Sequence, residues 1–319
     1  MLDSLIFSIN TVVPIFIITA LGAALKWKKF LNENFYAQSE SFVFLIALPV
    51  MLFLEVSKAD STTVFDVKFI IYCVIGIIFT FLLLCCTVPF IIKCNDKRGA
   101  FIQGAYRSNF AILGVPLAAN MFGSTGTAQI AMTLPFAITL FNLFAVMILS
   151  IYAPAEKKLA PLKILSNIII NIVKNPLIIA VAAALPFLIF RIDLPVVLDK
   201  SLTYLSNMSL PLALLSLGAN CSAASFKGRL WLALSASSIK TLLIPLITVI
   251  TAVFLGFRNE QLGVIFILFG GPASVSSYIM AKSMKSDYEL AGQIILASTL
   301  MCVVTIFLGI FMLKLFNFI

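Results

Sequence analysis

The stretch FGGPASVSSYIMAKS, residues 269–283, interrupts the most hydrophobic part of a very hydrophobic chain. Two glycines and a proline come early, and three serines follow the proline within five residues. Glycine leaves helical geometry easily, and proline removes a helical hydrogen bond and clashes with the preceding turn. The stretch therefore predicts a helix that stops and restarts inside an apolar segment.

The composition of the whole chain predicts an all-α membrane protein. Hydrophobic residues make up 61% of the 319 residues and charged residues only 11%, which is under half the charged share of a soluble domain. The apolar runs are continuous and about 20 residues long, as membrane-spanning helices require, and they do not alternate as β-barrel strands do. Ten such runs follow one another, at about 5–26, 36–56, 67–92, 99–121, 127–152, 167–190, 200–221, 229–256, 259–284 and 289–315.

The basic residues predict how these runs are oriented. The first ten residues hold an acid and no Lys or Arg, so we read the first run as a retained span and not as a signal peptide. With the N-terminus outside, thirteen Lys and Arg residues fall in inside loops and six in outside segments. Cytoplasmic loops carry such an excess, so both termini are expected on the extracytoplasmic side of the cell membrane. The net charge of +9 is then mostly loop charge, and no nucleic-acid partner is expected.

Metal sites and nucleophilic catalysis find little support in the sequence. The chain has no histidine, and none of its six cysteines forms a CxxC pair. A zinc site is typically built from clustered cysteines and histidines, and a catalytic cysteine is typically paired with a histidine. The thirteen carboxylates fall in loops or near the ends of the runs. We therefore expect no metal, no cofactor and no enzymatic activity.

The prolines indicate an internal repeat. Eight of them form four pairs, Pro14 with Pro176, Pro49 with Pro211, Pro89 with Pro245 and Pro116 with Pro272. The separation is 162 residues in the first two pairs and 156 in the others, so one length difference of six residues accounts for the change. The pairs define two halves, residues 1–155 and 160–319, of five runs each. Because five is odd, the second half starts from the opposite side of the membrane, as in the inverted repeats of many secondary transporters.

The fourth and ninth runs carry a Gly-x-Pro sequence at matching positions. Broken backbone is tolerated at membrane depth only where it lines a cavity or is packed in protein, so the two breaks are expected to cross near the midplane. Each restarted half-helix then offers free N–H groups and a positive dipole end, which attract anions. The predicted substrate site consists of these sequences and nearby polar residues, namely Asn109, Gly114, Val115, Pro116, Gly270, Gly271, Pro272, Ala273, Ser274, Ser276, Ser277 and Lys240.

Among the cations within predicted spans, Lys240 and Arg107 lie nearest to the predicted site sequences. A cation at membrane depth costs several kcal/mol unless it is paired or solvated. For Lys240, two roles stay equally open: charge supplied to the substrate, or a hydrogen bond to a backbone carbonyl. Arg107 lies close to a basic loop and is better read as a side chain that reaches water. Cations in the spans, positive helix ends and the lack of buried acids together favour an anionic solute.

These motifs resemble the auxin efflux carrier family, which includes plant carriers and many bacterial permeases. The resemblance covers essentially the whole chain. Its most specific parts are SNFAILGVPLAANMFG (108–123), where Asn109 precedes Pro116 by seven residues, and LSNMSLPLALLSLGAN (205–220). The chain has no long mid-chain loop of the plant type and so resembles the compact bacterial members.

The resemblance implies ten helices in two inverted five-helix repeats, with broken helices four and nine crossing. It also implies a scaffold of spans one, two, six and seven, and a transport domain of spans three to five and eight to ten. Elevator-like exchange and a homodimer through the scaffold follow from the same resemblance. Family members carry small organic anions, which are auxin in plants and dicarboxylates such as malate or malonate in some bacteria.

The expected function is secondary active or facilitative transport of a small organic anion, such as an auxin-like acid, malate or malonate. A symporter or antiporter of the same fold, coupled to Na⁺ or H⁺, is the alternative, and it would need a buried carboxylate. An intramembrane enzyme is opposed by the missing nucleophile and acid pairs. A passive channel is a further possibility, and it would differ from a carrier by a much higher flux.

Overall fold

The structure, a computed structural model, describes residues 2–58, 66–152, 174, 176–220 and 229–319. Within these residues all regular structure is helical except for one antiparallel pairing. In the described part of the chain, six continuous helical stretches are long and apolar enough to cross a membrane, namely Leu5–Trp27, Glu33–Leu54, Val67–Ile91, Phe110–Ile151, Leu230–Phe254 and Tyr288–Leu315. Two shorter apolar helices are Pro176–Phe190 and Asn259–Gly270. The all-α, multi-pass membrane class is thus confirmed.

The finer prediction of ten spans in two inverted repeats stays a prediction. The junction between the two predicted halves, residues 153–173, lies outside the described residues, and so does the start of the sixth apolar run. In chain order the described helices are α1 (Leu2–Trp27), α2 (Glu33–Phe42), α3 (Leu48–Ser57), α4 (Val67–Ile91), α5 (Asn95–Tyr106), α6 (Val115–Ile151), α7 (Pro176–Phe190), α8 (Val196–Asn207), α9 (Ser209–Asn220), α10 (Leu230–Ser238), α11 (Ile244–Phe254), α12 (Asn259–Gly270), α13 (Ser276–Ser283) and α14 (Tyr288–Leu315).

Two compact units make up the chain. The first comprises Met1–Ile70, Ala111–Pro135 and Asn171–Ser222, and the second comprises Ile71–Phe110, Phe136–Ile170 and Ala223–Ile319. Helix α6 contributes to both units and is kinked at Gly123, whose φ of 61° is left-handed. Glycine adopts that conformation without steric cost, and the kink falls between the predicted fourth and fifth runs.

Wide π-helical turns precede three prolines. They are Val43–Ala47 before Pro49, Phe110–Gly114 before Pro116, and Ile239–Leu243 before Pro245. A proline cannot donate to the carbonyl four residues back, and its ring crowds that carbonyl. The wide turn relieves this, since the N–H of the residue before the proline bonds five residues back, as Leu48 does to Val43 and Ile244 to Ile239. The helix therefore continues through each of these prolines.

Helices α1 and α9 of the first unit are in direct backbone contact. A Cβ at Gly218 would overlap the carbonyl oxygen of Thr19, and a Cβ at Gly22 would overlap that of Leu215. In a membrane, helices associate through close van der Waals packing, so small residues at their interface let the backbones approach. Both glycines are needed for this approach.

In the second unit, aromatic packing fixes the end of α5. The Tyr106 hydroxyl donates to the carbonyl of Phe141 at 3.1 Å, and the Tyr106 ring meets Phe81 edge to face. Phe81 in turn stacks on Phe144, with ring centroids 4.2 Å apart. This cluster holds the last turn of α5 against α4 and the second half of α6.

We expect Gly218→Ala to lower the unfolding temperature of the protein in detergent, because the added methyl group meets backbone and not a movable side chain. Overpacking of this kind costs about 1–3 kcal/mol. Gly292→Ala in α14 is the matched control, since its Cβ would lie 3.4 Å from the Tyr278 ring, an ordinary contact. An unchanged unfolding temperature for Gly218→Ala would contradict the backbone contact between α1 and α9.

Candidate functional site

The interruption predicted from the Gly-Gly-Pro sequence lies between α12 and α13. Helix α12 ends at Gly270, the chain is extended at Gly271 with ψ of 157°, and α13 begins at Ser276. Pro272 therefore lies inside the interruption, before the first residue of α13. The first turn of α13 has no side-chain cap in the described residues.

The fourth apolar run is also interrupted, but not where the sequence predicted. Helix α5 ends at Tyr106, and Arg107 is extended, with φ −78° and ψ 116°. The predicted break at Gly114–Pro116 is wrong, because Gly114 closes a π-helical turn and Val115 and Pro116 open α6. The wide turn accommodates Pro116, so the helix continues through it. Ser108 and Asn109, which favour non-helical backbone, mark the actual interruption.

The two interruptions pair with each other within the second unit. The Asn109 N–H donates to the carbonyl of Pro272 at 2.8 Å, and the Ser274 N–H donates to the carbonyl of Arg107 at 3.3 Å. These bonds flank an antiparallel bridge between Ser108 and Ala273. Backbone groups in an apolar interior must be hydrogen-bonded, and each broken segment supplies partners for the other. We call residues 107–109 and 272–274 the crossover.

Side chains of neighbouring helices bond to three further backbone groups at and just after the end of α12. The hydroxyl of Ser298 accepts from the Ala273 N–H at 3.0 Å. The fully buried Lys240 donates through Nζ to the carbonyl of Phe269 at 2.8 Å, and the Cys302 thiol reaches the carbonyl of Gly270 at 3.4 Å. A cation is favourable at the carbonyl end of a helix. Of the two roles open for Lys240, the observed contact is the bond to a backbone carbonyl.

The two faces of the crossover carry different side chains. In paired extended segments, side chains alternate between faces and directly opposite residues share a face. Arg107, Asn109 and Ser274 therefore share one face. Ser108 lies on the other, where its Oγ would be 2.8 Å from a Cβ at Gly271, so only glycine fits there without a shift.

Arg107 is buried, with 6% of its surface exposed. The expectation from the sequence that its side chain reaches water is therefore wrong. Its Nη1 donates to the Met280 sulfur at 2.7 Å and its Nη2 to Oδ1 of Asn142 at 2.8 Å. No carboxylate lies within 4.0 Å of it among the residues that the structure describes. Met280 also lies 3.8 Å from Nε2 of Gln103, one turn earlier on α5.

Arg229, just before α10, shows how a cation is paired elsewhere in this unit. Its Nε lies 2.8 Å from Oδ2 of Asp287, and its Nη1 contacts Glu289. Burial alone would lower the pKa of Arg229, but the two carboxylates outweigh it and raise the pKa above its ordinary value. The positive charge of Arg229 is thus balanced by two carboxylates. The contacts of Arg107 in the described residues include no carboxylate.

Several buried polar atoms around the crossover have no hydrogen-bond partner in the described part of the chain. They are Nδ2 of Asn109, Oγ of Ser108, Oγ of Ser277 and Oε1 of Gln103. An unsatisfied buried polar group costs about 1–3 kcal/mol, and native structures hold few of them. Similar atoms occur elsewhere, for example in Tyr36 and Ser150, but here they group on and beside one structural feature. The arrangement suits a polar ligand.

The structure thus brings together one part of the predicted site. Asn109, Gly271, Pro272, Ala273 and Ser274 form or border the crossover, Ser277 is buried on the next turn, and Ser276 is exposed. Gly270 ends α12, whereas Gly114, Val115 and Pro116 belong to the first unit. The sequence did not single out Gln103 or Met280 as site residues, nor Ser108.

Comparison with known proteins agrees with these features. A family model described as membrane transport protein matches residues 7–310. The chain belongs to this family. The resemblance to auxin efflux carriers is thereby confirmed, and with it a transporter and not an enzyme. A protein of Methanocaldococcus jannaschii described as an uncharacterized transporter is 24% identical over 296 residues, which cover 91% of this chain and 94% of that protein.

We expect Ser298→Ala to lower the unfolding temperature of this membrane transport protein, because the buried Ala273 N–H loses its acceptor. The loss corresponds to about 1–3 kcal/mol and is measured by thermal unfolding in detergent. Ser235→Ala is the control, since that exposed hydroxyl bonds only within its own helix. Equal effects of the two substitutions would argue against the role of Ser298 at the crossover.

Proposed function

We propose that this chain is a secondary transporter, active or facilitative, that carries a small organic anion across the cell membrane by alternating access. The observation that carries the proposal is the crossover, where buried polar atoms, Nδ2 of Asn109 among them, have no partner in the described residues and lie beside paired breaks in two helices. Transporter folds with discontinuous helices place their substrate at such breaks. Auxin-like acids, malate and malonate are the proposed class.

The electrostatics of the second unit support an anionic substrate. Its described acids are Asp96, Glu260, Asp287 and Glu289, and each lies at or next to the start of a helix. A cation-coupled carrier usually needs an intramembrane acid, so the described residues favour a carrier that does not depend on Na⁺.

The proposed transport cycle is an elevator-like exchange. The division of the chain into two compact units supports it, since the first unit contains spans one, two, six and seven and the second contains most of the other spans. Residues Ala111–Pro135 depart from the proposed division, because they group with the first unit although they belong to the fourth and fifth spans. A homodimer through the scaffold, inverted repeats and extracytoplasmic termini belong to the same proposal.

Proteoliposomes containing the purified protein test the proposal. We expect saturable uptake of radiolabelled malonate, malate or indole-3-acetate that persists when Na⁺ is replaced by choline. Strict dependence on Na⁺ or on a proton gradient would favour the cation-coupled alternative. Flux far above about 10³ molecules per second per protein would favour a channel.

We expect Asn109→Ala to reduce uptake about 10-fold or more while the protein still folds, because the substrate loses a buried hydrogen-bond donor. Asn207→Ala, at an exposed position at the end of α8, is the matched control and should transport as the wild type does. Wild-type uptake by Asn109→Ala would count against the crossover as the substrate site.

A further inference from the structure

The Arg107 side chain is a buried guanidinium whose hydrogen bonding is incomplete. A guanidinium has five N–H donors and no acceptor. Its hydrogen-bond partners among the described residues are the thioether sulfur of Met280, which is a weak acceptor, and the neutral amide oxygen of Asn142. Neither balances the positive charge, which is costly to bury unpaired.

Lys240, which is also buried in this unit, has a different environment. Lys240 donates to the carbonyl of Phe269 at the end of α12, where the helix dipole favours a positive charge. The Arg107 guanidinium instead lies against the side chains of Met280 in α13 and Asn142 in α6. Among the described residues at the crossover, Arg107 therefore carries the charge that a bound anion would balance.

The neighbours of Arg107 on the same face of the crossover add further donors. Asn109 is two residues further along the extended segment, at a Cα separation of about 7 Å, and its Nδ2 is buried without a partner in the described residues. A ligand with acceptor oxygens satisfies both side chains. Among such ligands, a carboxylate matches the planar fork of a guanidinium with two parallel hydrogen bonds.

We propose that Arg107 binds a carboxylate of the transported solute and thereby restricts transport to anions, with Asn109 binding a second acceptor oxygen of the same molecule. This inference rests on the proposed function and assigns its charge selection to one side chain. The competing explanation is that Arg107 serves only as a clamp between α13 and α6.

Two substitutions separate binding from clamping. Arg107→Gln removes the charge, so affinity for the carboxylate falls, while relief of an unpaired buried cation keeps the unfolding temperature of the ligand-free protein at or above that of the wild type. Asn142→Asp places an acid 2.8 Å from Nη2, which strengthens a clamp but competes with a bound carboxylate. A binding role therefore predicts weaker anion binding in Asn142→Asp, whereas a clamping role predicts unchanged anion binding.

The experiment measures binding by thermal shift and uptake in proteoliposomes for acetate, malonate, succinate and malate, with malonamide as the neutral analogue of malonate. The control is Lys285→Gln, which removes one positive charge at an exposed position. We expect about 10- to 100-fold weaker anion binding in Arg107→Gln and Asn142→Asp, no change in Lys285→Gln, and weaker discrimination against malonamide in Arg107→Gln.

The outcomes are distinguishable. Wild-type affinity in Asn142→Asp, or an equal loss in Lys285→Gln, overturns the role of Arg107 and leaves the proposed function standing. If Arg107→Gln does not fold, Asn142→Asp alone decides. Neither binding nor uptake of any of the four carboxylates by the wild type would overturn the proposed function and this inference with it.

Discussion

The requirement that backbone groups be hydrogen-bonded in an apolar interior governs the second unit. An unpaired N–H or carbonyl in that environment costs several kcal/mol, so one interrupted helix would be unstable alone. Residues 107–109 and 272–274 provide hydrogen-bond partners for each other's N–H and carbonyl groups. Ser298, Lys240 and Cys302 complete the pattern from α14 and the π-helical turn before Pro245. The two interruptions are therefore mutually dependent, and polar side chains come to lie next to each other at their meeting point.

The same environment makes the placement of charge informative. Arg229 is balanced by Asp287 and Glu289 at the start of α14, and Lys240 is placed at the carbonyl end of α12. Arg107 faces only a sulfur and an amide oxygen in the described residues. An unbalanced buried positive charge destabilises the protein when no anion is bound, and an anion that binds beside it removes this cost. The electrostatics of the fold therefore favour the binding of an anionic solute, as the proposed transport requires.

Composition and periodicity predicted the membrane class, and the Gly-Gly-Pro sequence at 270–272 predicted a real interruption. The parallel prediction at Gly114–Pro116 failed because a π-helical turn accommodates Pro116 without a break. The positions of the prolines do not tell a broken helix from a continuous one. The result depends on whether the neighbouring N–H and carbonyl groups find hydrogen-bond partners within the same helix or in another segment. The burial of Arg107 was not predictable either, because its contacts with Met280 and Asn142 join residues 173 and 35 positions apart. The Lys240 contact depends likewise on the distant α12.

The crossover bonds are main-chain bonds, and this has an evolutionary consequence. Because N–H and carbonyl groups are the same in almost every residue, the main-chain bonds of the crossover place few demands on the side chains at positions 107, 109 and 274. Gly271 is more restricted, because a side chain there would meet Ser108. Architecture and recognition are therefore separable, and exchange of one or two side chains could redirect a protein of this kind to a different solute without rebuilding its frame.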